Sequence, residues 1–283
     1  ITATGMVTAT AADGIAAYGG AGSGKLTINA AAVTGGSYGV YAKHLGAGEL
    51  SLTTTGTVTA TAGDGIVART GAGVSGVAIG AASVSASKNG ISVMHSGAGA
   101  LSIDTTGTVT GTTGDGIAAY GGAASGKLTI NATNAAGGFY GVYAKHLGSG
   151  DLMITATGTV TGTSKDGIYA VKDGPGSLSI TTGTATGTGT VTGATGIAVK
   201  TGGAATITSS GTITGTGGTA SDLPNATGAN TVNVTGGAIS GDIKGHGGDT
   251  LNFALGDGHS FGFGNAITGM AGINVNSGVV NLD

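Results

Sequence analysis

The 283-residue chain holds 63 glycines, two prolines, no cysteine and no tryptophan, and only 8% of it is charged, for a formal net charge of −3. Collagen is excluded because glycine is not at every third place, and disorder because Ile, Val and Leu recur at fixed offsets in a charge-poor chain. The charge balance leaves no nucleic-acid footprint, no apolar run reaches the roughly 18 residues of a membrane span, and the lack of cysteine argues against disulfide scaffolds and zinc sites.

The chain opens in mid-repeat at Ile1, without an initiator Met or a signal peptide, and is therefore expected to be an excised or processed piece of something longer. A glycine followed by Ile or Val then returns about every 25 residues, at Gly14, Gly39, Gly65, Gly90, Gly116, Gly141, Gly167 and Gly196. A period of that length predicts a stacked solenoid, in which function is read column by column.

Gly39 to Asp64 serves as the type coil. Val40-Tyr41-Ala42-Lys43 alternates, as do Glu49 to Thr53 after a glycine turn and Thr57-Val58-Thr59 after another. A period of two marks strands with one buried face. The predicted fold is all-β: a right-handed, three-sheet parallel β-helix (a β-solenoid) with about 25 residues per coil. Its inward columns are Ile15, Val40, Ile66, Ile91, Ile117, Val142, Ile168 and Ile197, then Ala17, Ala42, Ala68, Val93, Ala119, Ala144, Ala170 and Val199. The second strand contributes pairs such as Leu50/Leu52 and Leu101/Ile103, and the third contributes Val33, Val58, Val84, Val109 and Val160. The alanine column leaves a thin, filled core with no room for a helix or a cofactor, so no cofactor is expected.

A second period lies above the first: Gly5, Gly56, Gly107 and Gly158 stand 51 residues apart, as do Asp13, Asp64, Asp115 and Asp166. Coils thus alternate between two types, which internal duplication explains. Residues 1–221 form the regular region. After Asp222-Leu223-Pro224-Asn225 the rhythm breaks, and 222–283 reads as shorter, irregular coils of the same solenoid with strands at Thr231–Val234, Ala238–Ile243, Thr250–Ala254 and Ile273–Val275. Both ends of such a rod are open sheet edges, which need capping or a continuing neighbour, so end-to-end or lateral self-association is among the expected partner modes.

The outward positions of the first strand stand apart. All seven tyrosines lie on it or at the turn entering it, Lys43, Arg69, Lys145, Lys172 and Lys200 lie on it or just after, and His44, His95 and His146 follow it. Tyrosine with cations is the usual make-up of a contact face. The candidate binding residues are Tyr18, Tyr41, Lys43, His44, Arg69, Tyr120, Tyr143, Lys145, His146 and Tyr169. The competing explanation is that tyrosine is a good strand former which duplication copied.

The histidines stand on alternate coils, about 9.6 Å apart, too far to share a metal, and are expected on the surface. The Asp-Gly column is expected to make turns and not to bind calcium, having one Asp per two coils. Lys25/Glu49 and Lys127/Asp151 are expected to form exposed ion pairs. Glu49, Asp104, Asp151 and Asp173 lie away from the turn column but not as neighbours in register, so no glycosidase-like carboxylate pair is expected and the chain is read as a non-enzyme. The Thr-x-Thr strands at 57–59, 108–110 and 159–161 suggest an ice-binding array, but Ala32/Thr34, Ser83/Ser85 and Asn134/Ala136 interrupt it.

Gly-Thr-Val-Thr-Gly-Thr-x-x-Asp-Gly-Ile-x-Ala, at 107–119 and 158–170, resembles the passenger repeats of bacterial autotransporters (type V secretion). The ending at 269–282 resembles the stretch leading into their autochaperone region. The resemblance covers nearly the whole chain. It implies a β-helical passenger domain at the bacterial cell surface or in the extracellular medium, exported through an outer-membrane barrel outside this segment. Family functions range over adhesion, aggregation, toxin signalling and proteolysis. Passenger proteases carry a separate domain with a Gly-Asp-Ser-Gly-type motif that this chain lacks, so proteolysis is not carried over. The expected partner is a host-cell protein or glycan, met by an adhesin-like stalk. The alternative is a purely structural extracellular spacer or fibre unit.

Overall fold

A computed structural model describes all residues 1–283. It is all-β: a parallel β-solenoid of about eleven coils without a helix. The repeating first strands are Ile15–Gly19, Val40–His44, Ile66–Thr70, Ile91–His95, Ile117–Gly121, Val142–His146 and Ile168–Lys172, and each pairs in parallel with the equivalent strand of the next coil. Ile15, Val40, Ile66, Ile91, Ile117, Val142, Ile168 and Ile197 fall directly over one another and are buried, as is the alanine/valine column two places on. One apolar cluster of 55 residues runs through the rod. A one-residue slip would turn every one of these columns to water, which is why register and hydrophobic pattern agree.

The second and third strands are less separate than the sequence suggests. In four successive coils they run on as single strands, Leu50–Ala60, Val77–Ala86, Leu101–Gly111 and Leu128–Gly137, bent at a register shift near Thr54/Thr57 or Thr105/Thr108. The corner glycines Gly107 and Gly158 lie where an added Cβ would run into Ala82 O and Thr133 O of the preceding coil. The 51-residue period is therefore partly steric: a close approach at one corner is relieved on alternate coils.

The period-defining glycines also act by making room. An added Cβ on Gly14, Gly39, Gly65 or Gly90 would collide with Cγ1 of Val33, Val58, Val84 or Val109 from the third strand. No glycine before Gly176 has positive φ; the twelve that do lie from Gly176 onward. The coils before Gly176 thus turn without left-handed backbone, and the later ones use it. There a loop around Thr184–Gly189 is closed by Thr184 N–H to Thr188 O and Gly187 N–H to Thr184 O. The terminal coils shorten, as the Asn230–Asp249 hydrogen bonds across only 19 residues show. They bring Phe253, Phe261 and Phe263 into the core.

The Asp-Gly column has a cross-coil role. Asp13, Asp64, Asn89, Asp115 and Asp166 each accept a hydrogen bond through Oδ1 from the backbone N–H of the equivalent residue one coil on: Tyr38, Asn89, Asp115, Tyr140 and Thr195. The side chain thereby satisfies a donor that the turn leaves out of the strand ladder. Of the two expected ion pairs only Lys25–Glu49 forms, at 2.9 Å. Lys127 does not reach Asp151, which instead accepts 2.8 Å bonds from the N–H and hydroxyl of Ser177.

Candidate functional site

The first-strand sheet presents two outward columns. One runs Tyr18, Lys43, Arg69, Met94, Tyr120, Lys145, and the other Ala16, Tyr41, Val67, Ser92, Ala118, Tyr143, Tyr169. Tyr18 and Met94 are well exposed, at 67% and 42%. Arg69 is exposed as well, whereas Tyr41, Lys43, Tyr120, Tyr143, Lys145 and Tyr169 are half-buried.

Six of the seven tyrosines form two groups, and Tyr120 stands apart from both. Tyr41 lies between Tyr18 and Tyr38, with ring centroids 5.7 and 5.5 Å away. Tyr140, Tyr143 and Tyr169 lie 5.4 to 5.8 Å apart, two of the three contacts being stacked. Much of the ring surface is therefore spent on neighbouring rings, which stabilises the sheet. Burial, with the nearby Asp166 carboxylate, raises the phenol pKa of Tyr140 and Tyr169. Both therefore stay neutral hydrogen-bonding groups at physiological pH.

Between the two groups the wall is low. Ser92 and Ala118 floor a shallow depression of about 140 Å³ that Arg69, Met94, Tyr120 and Tyr143 also line. Lys145 approaches Asp173 at 3.6 Å, but neither Lys43 nor Arg69 has a carboxylate within 4.0 Å. The Arg69 guanidinium instead lies against the Met94 sulfur, 3.9 Å away.

The histidines require a correction. His44, His95 and His146 are fully buried, not on the surface, so His44 and His146 are not part of the contact face. They end the first strand in one register column: Gly19, His44, Thr70, His95, Gly121, His146. Thr70 accepts the Ser96 N–H at 3.3 Å and stands 2.8 Å from His95 Nδ1, while His95 Nε2 faces Gly99 O at 3.1 Å. This network assigns a neutral ring with Nε2–H donating to the carbonyl and Nδ1 accepting from the hydroxyl. His44 Nε2 meets Gly48 O at 3.2 Å in the same way. Burial lowers the pKa of His95 and His146, the latter further through Lys172. Lys172 is buried too, its Nζ donating to Gly148 O and Pro175 O. The sequence carried a signal for this: the places matching His44 and His146 one coil earlier are glycines, Gly19 and Gly121, which leave room for a ring.

No three His, Asp or Glu side chains form a group able to hold a metal ion. A cleft of about 390 Å³ lies where the loop at Ala185–Gly187 meets the last coils, against Ser210, Thr235, His259 and Phe261, and no carboxylate lines it. No family model matches this chain, and neither curated proteins nor solved structures give a match.

Proposed function

We propose that the chain is a non-enzymatic, rigid stalk segment of a bacterial surface or secreted protein, of the autotransporter passenger kind, which contacts a host protein or glycan through its first-strand face. The supporting observation is one of distribution. The outward tyrosines and the unpaired cations Lys43 and Arg69 share a single sheet, while the other sheets show mainly Thr, Ser, Asn and Ala. A stiff wall of hydrogen-bonded coils holds these side chains in fixed spacing, which lowers the ordering cost of binding. With the histidines inside, the face reduces to Tyr18, Tyr41, Lys43, Arg69, Tyr120, Tyr143, Lys145 and Tyr169.

A second reading, a purely structural spacer, is favoured by the tyrosine groups, whose rings already have partners in their own sheet. One experiment separates the two. Tyr41→Ser with Tyr143→Ser is compared with Thr59→Ser and Thr110→Ser on the third strand, in equally folded proteins, for binding to host cells and glycan arrays. Selective loss in the tyrosine variant supports the contact face, and binding equal to wild type supports the spacer.

A further inference from the structure

Lys43 and Arg69 are direct partners in register, on coils about 4.8 Å apart. Like charges at such positions repel, and the usual remedy is an intervening carboxylate. Here there is none: the first strands from Ile15 to Lys172 contain no Asp or Glu. Lys25, Lys145 and Lys244, by contrast, each have an acidic partner. Arg69 borders the shallow depression over Ser92 and Ala118, with Tyr120 on its far side, and Lys43 is its neighbour one coil back.

We propose that Lys43, Arg69 and Tyr120 hold an acidic sugar polymer laid along the rod, with a uronate carboxylate seated on Arg69. This rests on the contact-face reading above and names its partner. The guanidinium fork matches a carboxylate bidentately, Lys43 adds a second positive charge, and tyrosine offers an apolar body with a polar tip to a sugar ring. An acidic peptide fits less well. Every strand around the depression is already paired on both edges, so a peptide gains no backbone hydrogen bonds there. The shallow floor also lacks a deep pocket for an apolar anchor.

The test is titration of the folded 283-residue protein with polygalacturonate, dextran and poly-L-glutamate at low and at physiological salt. Polygalacturonate binding that weakens with salt is expected, with no binding of dextran. Arg69→Gln should weaken it about tenfold or more, since a charge-assisted pair is lost. Lys127→Gln, which removes an exposed cation at the turn into another strand, should change it little. Wild-type affinity in Arg69→Gln, equal binding of dextran, or tighter binding of poly-L-glutamate would each overturn the proposal. If polygalacturonate fails to bind while the tyrosine variant still loses cell binding, only this assignment falls. If neither measurement responds to the face, the contact-face reading falls with it.

Discussion

A Cβ on Gly121 would lie 2.5 Å from Nδ1 of His146, its register partner on the next coil. The imidazole fills the space that the glycine leaves, and Gly19 and His44 repeat the arrangement. From Gly19 to His146 small and large residues therefore alternate, an order that ends where Lys172 is buried directly after His146. Over those coils the two-coil repeat thus has a packing reason.

Gly121→Ala should therefore destabilise the rod by about 1–3 kcal/mol through overpacking. Gly20→Ala, where an added methyl meets nothing within 4 Å, should stay within about 0.5 kcal/mol. Denaturant melts of the two variants check the contrast. Equal stability would mean that the ring moves aside freely.

The buried His95 predicts a pH dependence. Its folded pKa is depressed, so below the ordinary value of 6.5 the unfolded chain binds a proton that the folded chain refuses. Stability should then fall as pH drops through 6.5, and the loss should level off below the folded pKa. Asp115 and Asp166, whose pKa burial raises, act with the opposite sign at lower pH. Comparing wild type with His95→Gln cancels them. The variant should show a flatter stability profile between about pH 7 and 5, and parallel profiles would show that His95 does not carry the effect.

Ile117 is fully buried in a column that also contains Val142. Ile117→Val should cost about 0.5–1.5 kcal/mol. Ile117→Asp places an unpaired charge in the core and should cost more than about 4 kcal/mol. Thermal melts read both.

Asp64 accepts hydrogen bonds from the N–H of Asn89 at 2.9 Å and from its side-chain amide at 3.1 Å. Asp64→Ala leaves that backbone donor without its partner and should cost about 1–3 kcal/mol. Faster amide hydrogen exchange at Asn89 would localise the effect.

Removal of divalent ions should leave the melting curve unchanged. The Asp side chains cap backbone N–H groups, and His44 and His95 face carbonyls inside the rod. A drop of many degrees with chelator would contradict this.

The stacking of coils and the inward identity of each Ile, Val and Ala column were legible in the sequence, as was the outward direction of Tyr18, Tyr41, Lys43 and Arg69, but not the burial of His44, His146 and Lys172. A period of two nested in a period near 25 admits only one register that buries every column at once. The tertiary structure alone decided how neighbouring coils share volume. Nothing in the sequence of a single coil shows that Asp64 reaches the backbone of Asn89, or that His44 turns inward over Gly19. Those are contacts between residues 25 positions apart that become neighbours only across the strand spacing. Polarity alone sent the histidines to the surface, because hydropathy does not register a buried ring such as that of His95, whose two nitrogens have partners inside the rod. The same stacking decided which cations remain free. Lys145 reaches Asp173 and Lys172 is drawn inside, while Lys43 and Arg69 remain side by side with no carboxylate in reach.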